Sequence, residues 1–367
     1  MGLPEITVTF KKLAETASRR SARGFLCVIL RDATSGVNWH TKVYRWLEDV
    51  KESDYTAANY KILKRAFDAN PVRVTVVRLG ASGTMADAKP LLKSVAFNWI
   101  CTPYANMQAD LVAYIKEINT PRRVRKAKAL VYQQAADDIH IVSAWNPSVT
   151  LAGESATTPM LEYLPRLAGI LAACPMTESV TNYALTDLSA VADYEVVTGE
   201  SQSAVTTPLD PGDGVDEGKF MLYLDEDVFR IARGVNTLQT IAGDITEDMK
   251  KVAVVEAMDI IQEDIVRTFK NFYLGKVRNS ADNQALFVGD VLLYLRQLEA
   301  ETILEAGSVC DIDVAAMRRA WEAEGKSMVE HDDAYVRGKT YKSYVFVTAT
   351  IRILDAMEDL RMVINLG

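Results

Sequence analysis

Three histidines and four cysteines in 367 residues leave little material for catalysis or metal binding. His40, His140 and His331 are far apart, and Cys27, Cys101, Cys174 and Cys310 make no Cys-x-x-Cys pair. Such thiols, three of them inside apolar runs, read as buried cysteines in a reducing compartment, without a disulfide framework or a metal site. Missing too are Gly-x-x-x-x-Gly-Lys-Ser/Thr, Gly-x-Gly-x-x-Gly and His-Glu-x-x-His. Gly153-Glu154-Ser155-Ala156-Thr157 lacks the second glycine of a nucleophile elbow. No apolar run approaches the roughly 18 residues of a membrane helix, and Gly2–Phe10 alternates where a signal peptide would be solidly apolar. A basic excess is absent as well: the net charge is −8, which disfavours a dedicated nucleic-acid binder. The expectation is therefore no catalytic residue, no cofactor, no metal, no direct nucleic-acid partner and no membrane insertion.

The remaining polar clusters have ordinary readings. His140 lies in an alternating strand and reads as a paired structural residue; His331, beside Asp332-Asp333, reads as part of a solvated loop. Asp225/Asp227 and Asp311/Asp313 sit in a turn and near a helix start, where acids serve structure. Asp210–Gly218 fails as a calcium loop because Gly212 and Gly214 stand where oxygen ligands are needed, so a flexible acidic loop is expected. Arg122, Arg123, Arg125 and Lys126, with Lys128, form one dense basic cluster, read from the pattern alone as a solvated junction between helix and strand.

What is present is a soluble globular composition, 49% hydrophobic and 25% charged, long enough for two or three domains. Gly24–Leu30 is a continuous apolar run, the mark of a strand buried on both faces. From there helical and strand periods alternate. Helices are expected at 56–69, 84–95 (with Thr84 as N-cap) and 107–118; strands at 72–79, 97–102, 128–133 and 139–145. That order implies an α/β domain with a largely parallel sheet. Thr157-Thr158-Pro159 predicts the cap of a further helix ending at Cys174-Pro175.

The stretch Phe220–Glu305 is a second organising centre. Phe220–Leu224 and Val228–Ala232 flank Asp225-Glu226-Asp227 and read as a hairpin. Two long helices are expected, 247–273 and 282–305, with Gly275 as the C-cap glycine of the first. A shorter helix at 313–323 and a long strand at 341–354 follow. The chain also begins and ends in strand patterns: Ile6, Val8 and Phe10 share one face near the start, and Leu360, Met362, Ile364 and Leu366 share one near the end. From the pattern alone the first is an edge strand of its own domain. The last has either a hairpin partner in its own domain or a partner in another molecule.

Several of these segments together resemble contractile tail sheath proteins, the sheaths of contractile-tailed phages and phage-tail-like bacteriocins. The resemblance lies in Arg233-Gly234-Val235-Asn236-Thr237-Leu238, the Gly275–Asn283 turn and Leu293-Tyr294-Leu295. Leu164-Pro165-Arg166-Leu167-Ala168-Gly169-Ile170-Leu171-Ala172, Gly2-Leu3-Pro4-Glu5-Ile6 and Arg20-Ser21-Ala22-Arg23-Gly24 add to it. It implies an α/β body plus a C-terminal sheath domain of mixed sheet and long helices. The expected bounds are an N-terminal arm at 1–23, an α/β domain at 24–198, a flexible loop at 199–218, the sheath domain at 219–354 and a C-terminal arm at 355–367.

The resemblance further implies a structural subunit that polymerises with itself around an inner tail tube and contracts from an extended, metastable state. Baseplate and tail terminator would be further partners. The particle would be a virion tail or a released bacteriocin, assembled in the bacterial cytoplasm. Ile6, Val8 and Phe10, and Leu360, Met362, Ile364 and Leu366, become arms that complete sheets in neighbouring subunits. Arg122, Arg123, Arg125 and Lys126 become a contact with the tube or a neighbour. Two other classes stay open: a cytoplasmic α/β enzyme with its site at the carboxyl ends of the parallel strands, and a non-contractile shell protein.

Overall fold

The computed structural model describes residues 23–120, 123–198 and 205–365. They form two compact units, 23–259 with 355–365, and 260–354. Ile6, Val8, Phe10, Arg122 and Leu366 lie outside the described residues.

The first unit opens with β1 (Phe25–Arg31), β2 (Thr41–Tyr44), α1 (Ala57–Phe67), β3 (Arg73–Leu79) and α2 (Met85–Leu92). It continues with β4 (Trp99–Cys101), α3 (Gln108–Ile118), β5 (Lys128–Tyr132) and β6 (Ile141–Ala144). The strands form a six-stranded sheet in the order β2-β3-β1-β4-β5-β6. Every pairing is parallel except that of the edge strand β2 with β3. β1 shows why its sequence carries no polar alternation. Leu26, Val28 and Leu30 enter a core with Leu63, Phe67, Leu164 and Leu167, while Cys27 and Ile29 enter another with Met85, Leu111 and Ile115. Neither face of the strand meets water, so both sets must be apolar. Thr84 precedes α2 as expected, and the Asp87 carboxylate accepts from the Thr84 amide at 2.8 Å.

β7 (Ser148–Leu151) and β8 (Thr157–Pro159) pair antiparallel, and α4 (Met160–Ala173) follows directly. The expected cap residues Thr157 and Thr158 are thus a strand, because β7 offers them ladder partners before the helix starts. Gly169 of α4 lies against α1: a Cβ there would stand 2.5 Å from the Ala66 carbonyl oxygen. β9 (Leu188–Val191) completes a three-stranded sheet with β7 at its centre. The expected loop at 199–218 is partly structured. β10 (Glu195–Thr198) pairs with β11 (Val205–Pro208), and α5 (Pro211–Asp216) follows. The Asp210 side chain accepts from Gly212 N at 2.8 Å, so this acid caps a short helix.

β12 (Leu222–Asp225) and β13 (Val228–Ile231) form the expected hairpin, with Glu226 at φ 53° in the turn. Phe220 continues the body's own bonding: its amide donates to Ser143 O at 2.9 Å, and its carbonyl accepts from Trp145 N at 3.3 Å. The hairpin therefore packs with the first unit, and the two units divide at 259/260.

α6 (Val252–Thr268) runs from the first unit into the second and ends in a wider helical turn, Phe269–Tyr273. Gly275 follows at φ +72°, the left-handed conformation expected of a C-cap glycine. In the second unit, Phe269 and Tyr273 set their rings edge-on to Phe287 of α7 (Ala281–Ala300). Ser280 caps α7 by accepting from Asn283 N at 3.2 Å. Asp264 accepts from the Tyr294 hydroxyl at 2.9 Å. β14 (Val309–Ile312), α8 (Val314–Glu322), α9 (Asp333–Arg337) and β15 (Val347–Thr350) complete this unit. The strand expected over 341–354 is shorter: 341–344 form a tight turn, and pairing with β14 covers only β15.

Candidate functional site

Three places in the fold carry chemistry or unsatisfied surface. The first is residues 355–365. No strand forms here, and among the described residues no backbone hydrogen bond joins 360–365 to the rest of the chain. Leu360, Met362, Val363 and Ile364 are 87%, 69%, 85% and 70% exposed. Among the described residues the strand pattern of the sequence is thus not realised, because a β-ladder needs a partner and these residues find none there.

The segment is nonetheless tied down at its start. Lys251 forms ion pairs with Asp355 and, at 3.3 Å, with Glu358. Arg233 reaches Glu358 at 3.4 Å and Asp359 at 2.7 Å. Thr181 and Ser179 donate their hydroxyls to Glu358 Oε1 at 2.5 and 3.2 Å. Burial disfavours the charge on Lys251, but its bonds to Asp355 and Glu358 outweigh this and raise its pKa. Beside this root lies a groove of about 520 Å³, lined in part by Tyr223, Arg233, Met357 and Glu358.

The second place is the sheet of the second unit. β14 and β15 pair only with each other among the described residues. Val309 of β14 is 57% exposed, and Thr348, Ala349 and Thr350 are exposed. Just ahead of β15, Trp321, Tyr341, Tyr344 and Phe346 form an aromatic cluster. A two-stranded sheet is marginal by itself, and its free edges are templates for further strands.

The third place is a buried charge cluster in the first unit, under the start of α6. Glu256 takes the Arg23 guanidinium, the Trp99 indole N–H at 2.9 Å and the Lys128 ammonium at 3.3 Å. Lys128 also pairs with Asp259, which meets His140 Nε2 at 3.1 Å. Burial pushes the Glu256 and Asp259 carboxyls up, but Arg23 and Lys128 on the first, and Lys128 and His140 on the second, hold both below the ordinary range. Burial pulls Lys128 down, and Asp259 with Glu256 raises it overall. His140 is paired as expected, though it sits in the turn just ahead of β6 and not in the strand.

The basic cluster turns largely onto its own loop. Lys126 is buried and donates to Thr120 O at 2.8 Å; Arg123 Nε donates to Arg125 O at 2.6 Å. The Arg125 guanidinium lies over the Phe25 ring at 5.3 Å. At the carboxyl ends of β1 and β4, Tyr104 OH accepts from Arg31 N at 2.7 Å, and the Arg31 guanidinium covers the Tyr104 ring at 4.5 Å. Asp32 is held to about 2: burial raises it, but bonds from Asn59, Thr56 and Thr34 prevail. Among the described residues no group of three or more His, Cys, Asp or Glu is arranged to hold a metal ion. None of their helices is long and apolar enough to cross a membrane.

Residues 244–367 match the phage tail sheath C-terminal domain. The chain carries a tail sheath domain. The tail sheath protein of Clostridium phage phiCD119 is 27% identical over 374 residues, covering 98% of each chain. The sheath tail protein of Desulfitobacterium hafniense superposes with a TM-score of 0.66 at 14% identity, over 84% of this chain and 94% of that one. The helical sheath of the anti-feeding prophage in its contracted state superposes at 0.63 and 12% identity, over 100% and 99%. The mixed α/β architecture of the described residues is thus the fold of these solved sheath proteins. The sheath domain holds the open sheet, and it also includes Lys251 and the acidic segment that binds it. That root was not read from the sequence. Its one sequence signal is the run Asp355, Glu358 and Asp359 just ahead of the apolar alternation.

Proposed function

We propose that the chain is a structural subunit that polymerises helically around an inner tail tube and contracts from an extended, metastable state to drive the tube through a target envelope. Its role is mechanical, with no catalytic residue and no cofactor. The observation that carries this reading is the pairing of surpluses in one chain. Leu360, Met362 and Ile364 alternate, exposed and, among the described residues, without a ladder, while β14 and β15 pair there only with each other. Strand addition joins such surfaces: backbone bonds give affinity, and alternate side chains give register. A second copy supplies what each lacks. Arms held in neighbours keep subunits connected while body-to-body contacts break and re-form, and the step draws on no nucleotide.

The same reading extends to the other ends and partners. Ile6, Val8 and Phe10 form the N-terminal arm, and Leu366 continues the C-terminal one. The basic stretch Arg122, Arg123, Arg125 and Lys126 faces the tube or a neighbouring copy. Baseplate and tail terminator close the two ends of the polymer. The particle is a virion tail or a released bacteriocin, assembled in the bacterial cytoplasm.

The test is removal of Leu360–Gly367. The truncated chain should stay folded and monomeric, while the full chain forms striated tubes in negative stain. Ordinary tubes from the truncated chain would end the arm reading; closed shells or compact particles from the full chain would end the sheath reading.

A further inference from the structure

Within the exposed segment 355–365 one side chain is buried. Glu358 is 4% exposed, between Met357 at 104% and Leu360 at 87%. A carboxylate leaves water only where partners replace its lost hydration. Here they come from separate pieces of chain: Ser179 and Thr181 in one loop, Arg233 just after β13, and Lys251 just before α6. The helix start that supplies Lys251 also supplies Glu256, which receives Arg23. Arg23 and Glu358 thus both meet residues of the stretch 251–256.

We infer that Glu358 is a positioning residue for arm exchange: its buried carboxylate fixes where the C-terminal arm departs, so that Leu360, Met362 and Ile364 reach the sheet edge of a second copy. This rests on the arm reading given above. A strand pinned at 358–359 sweeps a smaller volume than one free from 355, which raises its effective concentration at the acceptor edge. The pin also returns tension on the arm to Arg233 and Lys251. Asp359 and Asp355, 74% and 36% exposed at the side chain, are screened by salt, whereas Glu358 is sheltered.

The experiment compares Glu358→Ala, Glu358→Gln and Glu358→Asp in the full chain, reading thermal midpoint and the concentration threshold for tube formation by sedimentation and negative stain. Ala and Gln should keep the wild-type midpoint and raise the threshold on the order of tenfold. Asp, which retains the charge, should recover part of the loss. Should Glu358→Ala prove insoluble, Arg233→Ala removes two ion pairs from the opposite side and must raise the threshold likewise. A wild-type threshold in Ala and Gln overturns the inference, as does a lowered midpoint with no recovery by Asp, which marks a merely structural residue. The chain lacking 360–367 separates the two readings: if it assembles, the arm itself is wrong; if it does not while Glu358→Ala assembles normally, only the root is wrong.

Discussion

Lys128 carries the most consequential single charge in the first unit. Its side chain is 3% exposed and serves both Glu256 and Asp259. Lys128→Met fits the volume but strands buried carboxylates, and breaking a buried pair from one side costs about 3–5 kcal/mol. Urea unfolding should show a loss of that size. The pH dependence follows from the same groups. The carboxyls of Glu256 and Asp259 are depressed below 4.5 and 3.8, so their contribution is present above those values and fades as pH falls through the folded ones. Lys128 is raised above 10.5, so its contribution is present below that value and fades as pH rises through the folded one. Thermal midpoints should be level between these limits and drop outside them. In Lys128→Met its share of the alkaline component should vanish, while that of Lys251 remains. None of this was legible in the sequence, because residues 128 and 256 meet only after the sheet and α6 are assembled.

Helices and strands were largely legible where one face or both faces must be apolar. β1 stood out as a continuous apolar run, and Thr84 and Gly275 marked helix ends through local chemistry. Elements failed where a partner decided the outcome. Thr157–Pro159 carries a cap signal, yet β7 makes it a strand; Asp210–Gly218 carries a loop composition, yet Asp210 caps α5. The contact between α1 and α4 belongs to this scale. Gly169 lets α4 approach Ala66, and a methyl group there would collide with a carbonyl oxygen that has no free direction to move. Gly169→Ala should destabilise the fold by about 1–3 kcal/mol, the usual cost of overpacking. Calorimetry would show it as a lower midpoint with the same cooperativity.

At the scale of the whole molecule, the proposed strand exchange predicts which face of the C-terminal segment a neighbouring copy covers. Strand addition buries alternate residues, and a slip of one reverses them. Leu360, Met362 and Ile364 form one set and Arg361 and Val363 the other. Met362→Asp should abolish tubes while Val363→Asp leaves them, with both chains folded as monomers; equal effects would remove the alternation from the argument. In the proposed assembly the chain's two surpluses explain each other. The apolar alternation at its end was visible in the sequence because period two is a local property. So were the alternating body, the absence of catalytic and metal motifs, and the sheath resemblance. The division at 259/260, the charge cluster under α6 and the root around Glu358 were decided by tertiary structure alone. Each depends on groups brought together from distant parts of the chain, and an ion pair leaves no periodic trace in the residues that make it.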